Sequence, residues 1–395
     1  MKSMNEKLNI MRKRLRDRNA RVMIIGLGSV GNYLLNDLLS ASDEKLELCV
    51  VGRDRKKMQS DVNIARVASA IRRQNRSKVS VISGVDLENV SATAEAIRTF
   101  QPDIIVNSSR VYPGLKYGSI SWAAVRSYGI WTPLAVRLIR NIMEAYELAG
   151  SDAVVVNTSY SDAVIPWLKT AGRAYPDFGS GNINHLLPRM KFAIAETKHM
   201  EDDWNIDITM AASHFHDVVI SKEGQSEGVQ LPLDIRYQGK KVDMDPDELY
   251  AKCSIPMPAD AKRNRMNASS NYEIIMSVLD VVRKGSKIKL HSPGVFGEIG
   301  GYPVLLDGSG TQVQACIYEE RFGLDEMRKK NRESIYLDGI ADVSGGVLFY
   351  TDELIQKSRR AFGVSLPEKV DLKDIDRTAQ MLVEEIIKPQ IAARA

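Results

Sequence analysis

Short uninterrupted apolar runs alternate along the first part of the chain with longer stretches whose apolar positions recur at spacings of three and four. The runs are Val22 to Ile25, "KLELCVV" ending at Val51, "KVSVIS" from Lys78 to Ser83, "PDIIVNSS" from Pro102 to Ser109, and "AVVVN" from Ala153 to Asn157. Such short runs predict strands. Between them, Tyr33-Leu34-Leu35 with Leu38-Leu39, "LENVSATAEAIRTF" and "WTPLAVRLIRNIMEAYELAG" carry helical spacing. The last has Pro133 in its first turn and Gly150 at its end. Strands and helices in alternation imply right-handed crossovers and a parallel sheet with helices on both faces.

The first run ends in "GLGSVG", a GxGxxG at a strand-to-helix junction. Gly26 permits a sharp turn, Gly28 leaves room for a diphosphate, and Gly31 lets helix and strand pack closely. The free amides at the helix start then meet the phosphate charge. The fold class is therefore α/β, a Rossmann-type doubly wound parallel sheet. Gly26, Leu27, Gly28, Ser29, Val30 and Gly31 are its expected cofactor contacts.

The second strand poses a question of cofactor type. Its end reads "VVGRDRKK", and Arg53 stands where such folds usually place a carboxylate for the adenosine ribose. A guanidinium there offers a planar fork to phosphate oxygens. Arg55, Lys56 and Lys57 add positive charge. The expectation is NADP(H) rather than NAD(H). Asp54 is the competing residue, since a shift of one position restores an acid.

In "IIGLGSVG", "VVGRD" and "PDIIVNSS", over about residues 20 to 110, the chain resembles the NADP-binding domain of the saccharopine dehydrogenase-like oxidoreductases. The resemblance implies a reductase or dehydrogenase acting at a carbon–nitrogen or carbon–oxygen bond of an amino-acid-like substrate.

Asn107-Ser108-Ser109-Arg110 and Asn157-Thr158-Ser159-Tyr160 end two strands in the same way. Ligands bind outside such strand ends, so Asn107, Ser108 and Asn157 either border the nicotinamide or cap the following turns. Arg110 is a candidate for a substrate carboxylate, with a plain loop arginine as the alternative. Tyr112 and Lys116 form YxxxK, but Pro113 and Gly114 between them argue against the helix that pattern needs. Gly179 to Asn182 predicts a second glycine turn before a helix, read as a hinge, with Asn182 and His185 as cleft candidates.

Hydride transfer to a carbonyl or imine needs a proton donor, a role suited to histidine. His199 reads as exposed and His291 as a turn residue. "NIDITMAASHFHD" reads as a strand whose alternation puts His214 and His216 on one face, running from a core towards a cleft. Either one is the expected proton donor, against a reading of one core histidine and one exposed neighbour. No third or fourth metal ligand accompanies them.

The remaining chain predicts a mixed α+β second domain: a hairpin around Gln238-Gly239, a helix "NASSNYEIIMSVLDVVRKG" closed by Gly285, and a glycine-rich "GVFGEIGGYPVLLDG". That last segment either closes on a ligand through Glu298 or Tyr302 or only joins two strands. The domains are read as 1–165 for the dinucleotide, 166–345 for substrate and dimerisation, and 346–395 as C-terminal helices packing back on the first. The basic N-terminus predicts a short amphipathic helix through Leu8, Met11 and Leu15, leaning on its own domain or a subunit partner.

Composition changes little. With 395 residues, 44% hydrophobic and 26% charged, the chain reads as a globular protein, and a net charge of +4 gives no case for nucleic acid. No apolar run predicts a membrane span. Cys49, Cys253 and Cys316 read as reduced thiols of a cytoplasmic protein. The sequence thus predicts an NADP-dependent oxidoreductase, a homo-oligomer acting on a small carboxylate bearing an amino, imino, oxo or hydroxy group. The alternatives are a non-catalytic NADP(H)-binding sensor or scaffold subunit, and a lyase or epimerase that uses the nicotinamide transiently.

Overall fold

Each apolar run of the N-terminal part becomes a strand of one sheet. The computed structural model describes residues 1–41, 45–72, 76–258 and 260–393. Its first half runs α1 (Met4–Arg14), β1 (Ala20–Ile25), α2 (Ser29–Ser40), β2 (Leu46–Gly52), α3 (Arg55–Ile71), β3 (Lys78–Ser83), α4 (Val90–Phe100), β4 (Ile104–Asn107), α5 (Gly114–Val125), α6 (Thr132–Leu148), β5 (Val154–Asn157), α7 (Ser161–Thr170), β6 (Phe178–Gly179) and α8 (Asn182–Thr197). The second half runs β7 (Ile206–Met210), α9 (His214–Glu223), β8 (Leu233–Tyr237), β9 (Lys240–Lys241), α10 (Pro246–Lys252), α11 (Asn264–Lys284), β10 (Lys287–Pro293), β11 (Gly301–Asp307), β12 (Gln314–Ile317), α12 (Leu324–Leu337), β13 (Ile340–Ser344), β14 (Val347–Tyr350), α13 (Asp352–Phe362), β15 (Lys369–Asp371) and α14 (Ile375–Met381). A π-helical turn over Leu382–Ile387 and a short helix, α15 (Lys388–Ala392), close the chain.

The parallel sheet has the order β3-β2-β1-β4-β5-β6, that of a doubly wound dinucleotide-binding fold. Alternation sends Met23 and Ile25, Cys49 and Val51, Ile105 and Val155 to one face. Val22 and Ile24, Leu48 and Val50, Ile104 and Val106 go to the other. Both faces are covered over β1, β2, β4 and β5, which is why these strands read as apolar runs, whereas β3 at the sheet edge is partly exposed. One core takes in α4, α6 and α7 together with residues from β13 to the π-helical turn. The other takes in α1, α2, α3, α11 and the β10-β11-β12 sheet. A third, formed by α8, β7, α9 and α10, lies beyond the carboxyl ends of the strands.

Two expectations are corrected. "NIDITMAASHFHD" is not one strand: β7 stops at Met210 and α9 begins at His214. Ala212 bridges Gly301, and the Asp162 carboxylate receives the His214 backbone N–H at 3.0 Å, a tertiary cap that starts a helix where local alternation read a strand. Second, α5 does start at Gly114, with Pro113 just outside it, where its missing N–H removes no helical bond. Tyr112 therefore precedes that helix, and the Lys116 side chain lies outside what the structure describes.

Helix α1 opens with a capping box between Ser3 and Glu6. It packs on α11, β12 and β5, burying Leu8, Met11 and Leu15. Its Lys7 is also buried, with Nζ 2.8 and 3.0 Å from the two oxygens of Asp177.

Candidate active site

A cavity of about 1140 Å³ runs along the carboxyl ends of the strands, from the glycine bend to the third core. At the first end lie Gly26 to Val30, Arg53, Asp54 and Lys57. No side chain caps the start of α2, so its first amides are available to an anion. A Cβ on Gly28 would meet nothing within 4 Å, which is the open approach a diphosphate needs. Gly31 does not line the cavity; a Cβ there would lie 2.2 Å from the Gly26 carbonyl oxygen, so its role is the close packing of helix on strand. The Ser29 hydroxyl accepts from Asn264 Nδ2 at 2.6 Å, tying the bend to the start of α11.

Arg53 is exposed and, among the described residues, its guanidinium takes no acidic partner. The Asp54 carboxylate, by contrast, accepts the Lys57 backbone N–H at 2.9 Å and caps α3. The residue that competes for the ribose is thus engaged in holding a helix start.

At the middle of the cavity, Asn107 and Asn157 are buried and do not line it. Asn107 Nδ2 donates to Asn157 Oδ1 at 2.9 Å, and Asn157 Nδ2 donates to the Ser159 carbonyl. They lock the two strand ends together. Ser108, Ser109, Arg110, Thr158 and Ser159 line the cavity in their place. Ser108 Oγ donates to the Gly26 carbonyl at 2.6 Å, and Arg110 is an exposed wall residue.

The far end is built on α9. His214, Asp217, Val218, Ser221 and Lys222 line the cavity, at spacings that place them on one helical face. His216, two positions from His214, turns roughly 200° around the helix and away from the cavity. Its Nδ1 lies 2.6 Å from Ser334 Oγ and its Nε2 2.9 Å from the Ser226 carbonyl. Burial pulls its pKa down to about 4. Of the pair singled out from alternation, only His214 meets the cavity.

His214 Nδ1 sits 3.0 Å from Asp338 Oδ2. The same carboxylate accepts from Tyr160 Oη at 2.6 Å and from the Tyr128 backbone N–H at 2.7 Å. The rings of Tyr128 and Tyr160 meet the imidazole edge-on at 5.0 and 4.8 Å. Tyr160, just before α7, takes a left-handed backbone, φ 45, a strained conformation for a non-glycine residue. Nε2 of His214 has no partner among the described residues. Burial alone would lower the His214 pKa, but the charges of Asp338, Asp162 and Asp217 more than offset it and hold it above the ordinary value. Burial raises Asp162 to about 6 and Asp217 to about 7.

The other histidines divide clearly. His185 lines the cavity, and burial lowers its pKa to about 4. His291 is buried, lowered to about 3, and accepts the Met210 backbone N–H. His199 is exposed. The Asn182 side chain lies outside what the structure describes. Glu298 pairs with Arg328, and Tyr302 donates to the Ile299 carbonyl, so the late glycine segment serves as a strand connection. Sequence reading missed Asp162, Asp217 and Asp338, and the cations Arg189, Lys222 and Arg263. A helical rather than a strand period applied to "HFHDVVISK" would have placed His214, Asp217, Ser221 and Lys222 together.

Residues 22–121 match the family model of the saccharopine dehydrogenase NADP binding domain. Similar solved structures include the malate dehydrogenase from Aeropyrum pernix, at 17% identity over 80% of this chain and 97% of that one, TM-score 0.53. The malate dehydrogenase from Plasmodium falciparum follows at 13% identity, 87% and 99% coverage, TM-score 0.52. The lactate dehydrogenase from Cryptosporidium parvum, complexed with lactic acid and nicotinamide adenine dinucleotide, stands at 12%, 81% and 97%, TM-score 0.51. At such identities the likeness is one of fold. No curated protein matches the sequence. The matched domain places the chain among the NAD(P)-dependent dehydrogenases and reductases, enzymes of small-molecule substrates. More narrowly, residues 22–121 form a saccharopine dehydrogenase-type nucleotide-binding domain. No helix of the described residues is long and apolar enough to cross a membrane.

Proposed function

We propose that this protein is an NADP-dependent oxidoreductase acting at the C–N or C–O bond of a small amino or oxo acid. The observation that carries this reading is the continuity of a single cavity from the uncapped start of α2 to an imidazole whose Nδ1 is held by Asp338 and whose Nε2 has no partner among the described residues. The amides of α2 and the open face of Gly28 would hold the diphosphate, and Arg53 with Lys57 the 2′-phosphate. The bound nicotinamide supplies or accepts the hydride.

His214 gives a proton to the substrate nitrogen or oxygen in reduction and removes it in oxidation. Asp338 holds the ring so that Nδ1 faces the carboxylate and Nε2 the substrate, and it stabilises the imidazolium. Arg110 faces the same space and suits the substrate carboxylate. The test is a panel of amino, hydroxy and oxo acids, with amine and keto-acid pairs, followed through NADPH absorbance. Net oxidation or reduction of cofactor supports the reading; tight NADP(H) binding with no redox change across the panel points to a sensor.

The cofactor preference has its own test. Arg53→Ala is expected to weaken NADP(H) binding about 10- to 100-fold, the worth of a charge-assisted hydrogen bond to a phosphate, and to leave NAD(H) binding nearly unmoved. Fluorescence titration of both cofactors measures it, and an unaltered preference removes Arg53 from this role.

A further inference from the structure

The Asp338 carboxylate is fully buried and does not itself line the cavity. Its Oδ1 accepts the Tyr128 backbone N–H, while Oδ2 is shared by His214 Nδ1 at 3.0 Å and Tyr160 Oη at 2.6 Å. The proton transfer uses the imidazole and the carboxylate but leaves the phenol without a role. The backbone of Tyr160 sets it apart. It stands at φ 45, ψ 52, a conformation that persists in a non-glycine residue only where the surroundings impose it. Asn157 imposes it here. The Asn157 Nδ2 donates to the Ser159 carbonyl, and its backbone carbonyl accepts from Ser161 Oγ at 2.8 Å, so the residues on both sides of Tyr160 are held. The result sets the phenol edge-on to the imidazole and its hydroxyl against the same oxygen that holds the ring.

A hydroxyl that donates to a carboxylate draws on the negative charge that stabilises a neighbouring imidazolium. The Tyr160 hydroxyl therefore weakens the pull of Asp338 on the charged ring. Burial, with the Asp338 charge, holds the Tyr160 pKa well above its ordinary value, so the phenol stays protonated and donating across the working range. The other groups that face the imidazole are Asp162 on α7, Asp217 on α9, His185 on α8 and the edge of the Tyr128 ring. Burial lowers the His185 pKa to about 4, so that ring is neutral near pH 7. Arg189, Arg263 and Lys222 act on Asp217. With three carboxylates around it, an imidazole without this counterweight would stay charged, which suits reduction and stalls oxidation.

We propose that Tyr160 is a positioning residue for the proton transfer: through its hydrogen bond to Asp338 it keeps His214 able to lose its proton near neutral pH, so that one imidazole serves both directions of the reaction. This rests on the oxidoreductase reading for the reaction served. The effect of the phenol on the imidazole follows from the shared oxygen and stands without that reading.

The test is a histidine NMR titration of the full-length protein, with the His214 resonance identified by its absence from His214→Gln. Tyr160→Phe keeps the ring and removes the hydroxyl. Its His214 midpoint is expected to rise by about 0.5 to 1 pH unit, a roughly 3- to 10-fold change in the ratio of charged to neutral ring at fixed pH. Oxidation near neutral pH should slow by up to the same factor, and reduction should persist to higher pH. 3-Fluorotyrosine placed at Tyr160 is a more acidic phenol and a stronger donor. It is expected to move the midpoint the other way, and it keeps the test open if Tyr160→Phe fails to fold. Tyr128→Phe is the control for ring contact, since the Tyr128 hydroxyl meets Lys222 rather than Asp338; its midpoint is expected to move less than half as far. A midpoint unmoved or lowered in Tyr160→Phe, one unmoved or raised by 3-fluorotyrosine, or equal shifts in the two phenylalanine variants overturns the proposal. Absence of NADP(H) binding, or of redox change across the substrate panel, overturns the oxidoreductase reading instead, and the NMR midpoints still decide what Tyr160 does.

Discussion

Replacing His214 with glutamine is expected to lower turnover about 10²- to 10⁴-fold, the range for loss of a general acid–base group, while NADP(H) affinity stays within a factor of a few. The imidazole stands at the far end of the cavity from Arg53 and the glycine bend, so the substitution leaves the cofactor contacts in place. The pH profile gives a second readout. Desolvation works against the imidazolium, but Asp338, Asp162 and Asp217 hold the His214 pKa above its ordinary value of about 6.5. Reduction requires the protonated ring, so its rate is expected to be level at low pH and to fall as pH rises through that raised pKa. Oxidation requires the neutral ring and should rise over the same interval. Asp338→Asn removes the strongest influence favouring the charged form, and both midpoints should move to lower pH. A His214→Gln enzyme with near wild-type turnover, or midpoints unmoved by Asp338→Asn, would show that the proton comes from elsewhere.

The largest loss of stability is expected from Lys7→Ala. The ammonium is fully buried and held by both oxygens of Asp177, which also accepts the Val155 backbone N–H at 2.9 Å. Removing one partner of a buried pair strands the other charge, at about 3–5 kcal/mol. Burial already raises the Asp177 pKa, with Lys7 as the chief opposing influence, so the stranded carboxyl would take up a proton more readily still. The double variant Lys7→Met/Asp177→Asn should recover much of the loss. The amide oxygen still accepts from Val155, and neither charge remains to be desolvated. Denaturant midpoints of the three proteins measure this; a Lys7→Ala loss under about 1 kcal/mol would mean that the pair contributes no more than a surface ion pair does.

The parallel sheet was legible because its cause is local. A strand buried on both faces can only be an apolar run, and β1, β2, β4 and β5 stand where such runs stand. The glycine bend was legible for a similar reason: Gly31 leaves no room for a Cβ against Gly26, so the residue type itself records the contact. Lys7 was not legible. In "NEKLNIMRKR" it is one cation among several, and only the approach of Asp177 across 170 residues distinguishes it.

The site divides along the same line. From the chain alone came the doubly wound fold, the glycine bend with Arg53 near it, and a short list of histidines, because each follows from spacing within one strand–turn–helix unit or from residue chemistry. Tertiary structure alone decided which histidine faces the cavity. Asp162 caps α9 and turns an apparent strand into a helix, sending His214 and His216 to opposite sides. It also brought Asp338 to His214 across 124 residues. Hydrogen bonds and charge pairs of that separation leave no periodic trace, because any carboxylate that packing delivers to the right place serves as well as another.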